Sequence, residues 1–298
     1  MRKRSHRLRA VHAVTAAAVL AVAGCDAAGA GVSGDREAGA GAAPSASPTP
    51  LWDTHPDSVA AVGDSITRGF DACMVLTDCP EVSWATGSDA GVDSLAVRLL
   101  GVTGAAQRSW NEAVTGSRMA DLRGQMTQAV LHRPELVTVM AGANDACRDS
   151  TGQMTSVADF RRQFQSAMDA LRQALPKTEV YVSSVPNLKR LWSEGRTNAL
   201  GKQVWKLGIC PSMLGDADAL DPAATRRRET VQARVVEYNK VLAEVCAKDR
   251  RCRFDKNAVF DYEFDTKQLS HWDWFHPSRN GQARLAEIAY RTVTARNP

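Results

Sequence analysis

The sequence predicts an α/β protein: a three-layer α/β/α sandwich around a mainly parallel five-stranded sheet. Short apolar runs of strand length alternate with amphipathic helical patterns, as in a parallel sheet covered on both faces. From Leu51 onward, roughly 245 residues carry no internal repeat and no second linker, which suits one core. Right-handed crossovers then make the sandwich the default arrangement.

The elements follow in order. Residues 58–62 read as a buried strand ending at Gly63-Asp64-Ser65. Residues 92–100 read as a helix with Leu95, Leu99 and Leu100 on one side. A short strand lies within 107–114 and leaves the sheet near Asn111. Met119, Leu122, Met126 and Val130 recur at helical spacing over 119–131, and Pro134 ends that helix. Residues 136–141 form a second buried strand, closed by Gly142. Over 157–175, Phe160, Phe164, Met168 and Leu171 mark the core face of a helix. Residues 180–185 form a third clear strand. Residues 225–248 form a long helix, and Arg253 and Phe254 sit in a short fifth strand. A closing helix over 281–294 turns Leu285, Ile288 and Ala289 inward. The stretch 187–221 is irregular and rich in Gly, Trp and Lys. It reads as a cap or rim of the active site, because such long connections are functional or partly helical. Arg226-Arg227-Arg228 reads as a solvated helix face.

The first 24 residues are expected to be a lipoprotein signal peptide. Arg2, Lys3, Arg4, Arg7 and Arg9 form a basic start, and the apolar stretch after it is too short to span a bilayer. Leu20-Ala21-Val22-Ala23-Gly24-Cys25 resembles a lipobox, so Cys25 is the expected lipidation site, anchoring the chain to the membrane. Residues 25–50 are Ala, Gly, Ser and Pro with almost no bulky side chain, which reads as a disordered tether, and 51–298 as the folded domain. The formal charge of +4 includes the five basic residues of the leader; the rest is at −1, which excludes a nucleic-acid partner on electrostatic grounds. A monomer is expected, exported and held at the outer face of the membrane or secreted.

Six cysteines remain beyond Cys25, an even number in an exported chain, which reads as disulfides. Cys73 with Cys79 and Cys246 with Cys252 are close in sequence, leaving Cys147 with Cys210. No Cys-x-x-Cys and no histidine at ligand spacing support zinc, and neither metal nor cofactor is expected.

Four segments carry chemistry. Ser65 stands past the carboxyl end of a strand, where open α/β sheets bind ligands. Gly116 follows another strand, where a missing Cβ lets a backbone N–H face a ligand. Asn144, in Gly142-Ala143-Asn144-Asp145, can point an amide into the same crevice. Asp273-Trp274-Phe275-His276 spaces a carboxylate so that one tight turn brings it beside Nδ1, leaving Nε2 for a serine hydroxyl. Asp64 and Asp145 read as partners of loop N–H groups. Trp272, Trp274 and Phe275 either line an acyl site or pack in the core. His271 reads as a rim or core histidine, and His55 and His132, without a partnered carboxylate at useful spacing, read as structural. There is no Gly-x-Ser-x-Gly elbow and no His-Glu-x-x-His, and 195–202 fails as a phosphate loop because Gln203 stands where Ser or Thr is required.

With these residues in place the chain resembles the SGNH (GDSL-type) hydrolases, a family of esterases and lipases. The four blocks appear in the family's order: Ser65, Gly116, Asn144, then Asp273 with His276. Ile66 replaces the usual leucine. The three-disulfide arrangement resembles that of secreted actinobacterial members. The resemblance implies a flavodoxin-like sandwich and an ester as substrate: a lipid, an acetylated sugar or a small ester. It implies Ser65 as nucleophile, His276 as base, Asp273 as its orienting carboxylate, and an oxyanion hole from the N–H of Ser65, the N–H of Gly116 and the Asn144 amide. Two other readings compete. One is a catalytically idle domain of this type that binds lipid or carbohydrate at the cell surface; intact Ser65, Asn144, Asp273 and His276 weigh against it. The other is a binding lipoprotein, but one domain offers no second lobe to close over a ligand.

Overall fold

The structure, a computed structural model, describes residues 51–296. The expected leader, Cys25 and the tether lie outside the described residues. Five strands form one sheet: β1 (Val59–Gly63), β2 (Ser109–Asn111), β3 (Leu136–Met140), β4 (Glu179–Val182) and β5 (Cys252–Phe254). Their order is β2-β1-β3-β4-β5 and every pairing is parallel. Every residue of β1, β3 and β4 is buried, which is why these strands read as mainly apolar runs, interrupted only by Thr138 and Glu179.

The connections begin with α1 (Ser65–Arg68), α2 (Leu95–Arg108), α3 (Leu122–Leu131), α4 (Ala143–Ala146) and α5 (Val157–Ala174). They continue with α6 (Leu188–Gly195), α7 (Ala199–Trp205), α8 (Pro211–Leu214), α9 (Pro222–Cys246), α10 (Ala258–Asp261) and α11 (Arg279–Thr294). Helices α3, α5 and α9 pack side by side on one face of the sheet; α2 and α11 pack together on the other. The chain changes faces between the β1–β2 and β2–β3 crossovers. The switch point therefore falls where β1 meets β3, and the loops after both strands open onto it. Among the described residues no helix is long and apolar enough to cross a membrane.

Several boundaries differ from the sequence expectation, each for a local reason. Helix α2 starts at Leu95 because the Ser94 hydroxyl accepts the Val97 N–H at 3.2 Å, and it is broken at Gly101 by a left-handed φ of 69°. Helix α9 starts at Pro222 because Asp221 caps it through the N–H groups of Ala223 and Ala224. Strand β4 stops at Val182; Val185 instead exchanges two hydrogen bonds with the Asn239 side chain. The stretch 187–221 is not irregular. It folds into α6, α7 and α8, the first two started by Asn187 and Asn198, whose side chains accept from the N–H of Arg190 and Gly201 at 2.9 Å each.

The arginine run is only partly a solvated face: Arg226 is exposed, Arg227 half-buried and Arg228 buried. Arg228 is 1% exposed and lies over the Trp192 ring, 4.2 Å from its centroid. Its guanidinium donates to the carbonyls of Met213, Gly215, Asp216 and Ala219, and Arg227 donates to those of Ser212 and Gly215. Helix α9 thus staples the last turn of the cap. Three disulfides, Cys73–Cys79, Cys147–Cys210 and Cys246–Cys252, form in the expected pairing.

Candidate active site

The site sits at the carboxyl ends of β1 and β3. Strand β1 ends at Gly63, where an added Cβ would lie 2.3 Å from the Met140 carbonyl and 2.7 Å from the Thr67 hydroxyl. No other residue lets the chain turn so close to β3. Asp64 caps α1 by accepting the Ile66 N–H at 3.0 Å, which places Ser65 in the first turn of that helix with its own N–H unpaired among the described residues. Burial pushes the Asp64 carboxyl up to about 7.

His276 arrives on the loop before α11. Its Nε2 is 2.9 Å from the Ser65 hydroxyl and its Nδ1 is 2.5 Å from Asp273 Oδ2. Asp273 Oδ1 also accepts the N–H groups of Phe275 (2.9 Å) and His276 (3.0 Å), so the tight turn and the acid–imidazole contact are one structure. Burial opposes the charge on both partners. The His276 imidazolium and these hydrogen bonds nonetheless hold the Asp273 carboxyl below its ordinary value, and the Asp273 carboxylate raises His276 above its own. Phe70 and Phe275 flank the imidazole, with ring centroids 5.0 Å and 5.2 Å away.

Gly116 has φ 83° and an exposed N–H with no partner among the described residues. An added Cβ there would meet nothing within 4 Å, so glycine serves the left-handed backbone rather than a tight fit. Asn144 donates one amide hydrogen to the Ser117 carbonyl at 2.9 Å, which fixes the plane of the group and leaves its second N–H without a partner among the described residues. Asp145, as expected, serves a loop: it accepts the Met119 N–H at 2.8 Å.

Sequence reasoning missed the buried amides that pin these loops. Gln125 bonds both backbone groups of Gly63 and the Ser117 hydroxyl, joining the nucleophile strand to the glycine loop. Gln282 donates to the Ile66 carbonyl at 2.8 Å and accepts the Trp84 N–H at 2.9 Å. Asn111 donates to the Thr67 carbonyl at 3.0 Å. For Gln125 and Gln282 a polar residue at a buried helical position was the only available signal. His132 has a carboxylate after all: Nε2 lies 2.9 Å from Glu112 Oε1, and the ring stacks on Trp110 at 4.6 Å. That partner lies twenty residues away, and spacing rules do not see it. His271 is exposed against Trp272, away from the triad contacts.

The cap does rim the site. Trp205 Nε1 donates to the Asp273 carbonyl at 2.7 Å, and Gly201 sits so close to Trp274 that a Cβ would come within 3.1 Å of its ring. Phe275 is buried and joins Ile66, Ala143, Leu188, Leu191 and Phe264 around a narrow, wholly apolar recess. Immediate neighbours of Ser65, Asn144 and His276 thus line one pocket. A larger open cleft lies farther out on the cap, among Lys202, Lys206 and Asp218.

The chain belongs to the GDSL-like lipase/acylhydrolase family, whose model matches residues 59–289. No curated protein matches it. Among solved structures it is similar to an α/β hydrolase from the metagenome of Lake Arreo, Spain, with 18% identity, TM-score 0.49, and coverage of 80% of this chain and 94% of that one. A GDSL-like lipase from Parabacteroides merdae gives 17% identity and TM-score 0.48, covering 82% and 99%. An extracellular lipase from Streptomyces rimosus gives 17% and 0.42, covering 80% and 99%. At such identities the likeness says nothing of substrate.

Proposed function

We propose that this protein is a serine esterase or lipase that hydrolyses carboxylic esters through an acyl-enzyme on Ser65. One observation carries the reading: the continuous row from the Ser65 hydroxyl through His276 to Asp273, at 2.9 Å and 2.5 Å. His276 takes the serine proton as Ser65 attacks the carbonyl, and returns it to the leaving alcohol. Asp273 holds the tautomer that leaves Nε2 free and stabilises the imidazolium. The N–H groups of Ser65 and Gly116 and the second Asn144 N–H stabilise the oxyanion, a charge that exists only along the reaction path. Water then repeats the sequence to release the acid.

The expected leader of residues 1–24 followed by Cys25, together with the three disulfides, supports export to an oxidising compartment with a lipid anchor. Ser65→Ala should abolish ester hydrolysis and labelling by a fluorophosphonate probe while the melting temperature stays near wild type. A folded Ser65→Ala protein that still turns over would refute the mechanism. Failure of the wild-type protein to take the probe would favour the idle, surface-binding alternative.

A further inference from the structure

Behind the triad stands a carboxyl that no motif marks. Asp71 lies six residues after the nucleophile and is 2% exposed. One of its carboxyl oxygens, one of Asp273's and a ring nitrogen of His276 all lie within 4.8 Å of one another.

The loop around Asp71 holds it there. Its N–H donates to the Thr77 carbonyl at 3.0 Å, and the Leu76 N–H donates to its Oδ1. The Cys73–Cys79 disulfide closes the same turn. From the other side the Ser270 hydroxyl donates to the Asp71 carbonyl at 2.7 Å, while the Ser270 N–H donates to the His276 carbonyl at 2.7 Å. Ser270 therefore ties the two loops together. Asp71 has φ 57°, a left-handed conformation that a residue with a Cβ keeps only where its surroundings enforce it.

Two buried carboxyls this close do not both ionise freely. Asp273 keeps its charge because it accepts two backbone N–H groups and faces the imidazole directly. Asp71 accepts one N–H, and burial together with the Asp273 charge pushes it up to about 6. The other charged groups here are Asp64, which also acts on His276 from the end of β1, and the Arg68–Asp78 pair on Asp71's own loop.

We propose that Asp71 is a positioning residue of the catalytic row, acting on His276 from behind Asp273. Ionised, it adds a second negative charge near the ring and stabilises the imidazolium that forms as Ser65 attacks. Protonated, it donates to Asp273 and withdraws that charge. The inference rests on Ser65, His276 and Asp273 working as proposed above.

The test is the pH dependence of kcat for a p-nitrophenyl ester, measured on the full chain and on Asp71→Asn, which keeps an acceptor for Leu76 but loses the charge. Without that charge His276 deprotonates more easily, so the acid limb should move to lower pH by about one unit. The plateau kcat should fall roughly tenfold, with KM within about twofold. A folded Asp71→Asn protein with an unmoved limb overturns the proposal, whatever its plateau. In wild type, the low-field NMR resonance of the His276 Nδ1 proton should show an inflection near pH 6 besides the imidazole's own. A single inflection overturns the proposal even if the variant fails to fold. Ser65→Ala in parallel separates the cases: its retained turnover would refute the triad, whereas an unmoved limb removes Asp71 alone.

Discussion

Ser65, His276 and Asp273 are ordinary side chains brought together by two segments, the turn after β1 and the loop before α11, and the proposed reactivity comes from that placement. Asn144 shows this best. One of its N–H groups is spent on the Ser117 carbonyl, so the other is held before substrate arrives. Asn144→Ala should lower kcat by roughly 10²–10³ with a much smaller change in KM, since the lost bond acts mainly on the tetrahedral state. Steady-state kinetics on both proteins checks this, and a large rise in KM at constant kcat would make Asn144 a ground-state binding group. The proposed base obeys a similar rule. His276 would have to be neutral to accept a proton, and the Asp273 carboxylate raises it above the ordinary imidazole value despite burial. Activity should therefore climb with pH through a midpoint above about 6.5. Asp273→Asn should shift that midpoint down and cut the rate. At this scale the proposed catalytic set was legible because a serine, a glycine, an asparagine and an Asp-x-x-His turn are local signals. Asp71, Gln125 and Gln282 were not, because each acts on a residue distant in sequence or in another loop.

Among the elements, the cap departs furthest from expectation. Asn187 and Asn198 start two of its helices, yet its composition hid them among Gly, Trp and Lys. Arg228 is buried only because four carbonyls of the cap converge on it, which no window of sequence shows. The Cys147–Cys210 bond joins the end of α4, which carries Asn144, to the start of α8. It closes a loop of 63 residues. That should stabilise by about 4 kcal/mol in the chain-entropy model, against about 2 for either short-loop disulfide. Cys147→Ser is therefore expected to lower both the melting temperature and kcat, because Asn144 loses its tether to the cap. Cys246→Ser should lower mainly the melting temperature, since that bond lies between α9 and β5, away from the site. Thermal scans and kinetics on both variants check the pair; an unchanged kcat in Cys147→Ser would detach the cap from the oxyanion hole.

The whole molecule has a pH signature set by its buried carboxyls. Burial pushes Asp64 and Glu179 up to about 7, and Asp71 to about 6. Between the ordinary carboxylate range and those values the folded state holds protons that the unfolded chain has released. Their contribution to stability is full below the unfolded value and is lost as pH rises toward about 7. His276, also raised, acts in the same sense at higher pH, whereas Asp273 and the surface acids Asp159, Asp218 and Asp221, all lowered, act only in the acid range. The melting temperature should therefore be higher at pH 5 than at pH 8. Glu179→Gln, at the end of the sheet opposite the site, should shrink that difference without touching activity. Equal drops in both proteins, read by thermal scans at the two pH values, would remove Glu179 from the account.

The sequence by itself determined the sandwich, the parallel strands, the disulfide pairing and the candidate residues of the proposed chemistry. Most of this is written in short-range pattern: apolar runs of strand length, helical periodicity, two cysteine pairs six residues apart that leave Cys147 with Cys210, a turn that joins Asp273 to His276. The tertiary structure alone decided the rest. It set the strand order, the helical cap, the burial of Arg228 and the carboxyl of Asp71 behind the triad. These depend on which distant groups converge once the core has closed, and convergence leaves no periodicity along the chain to read.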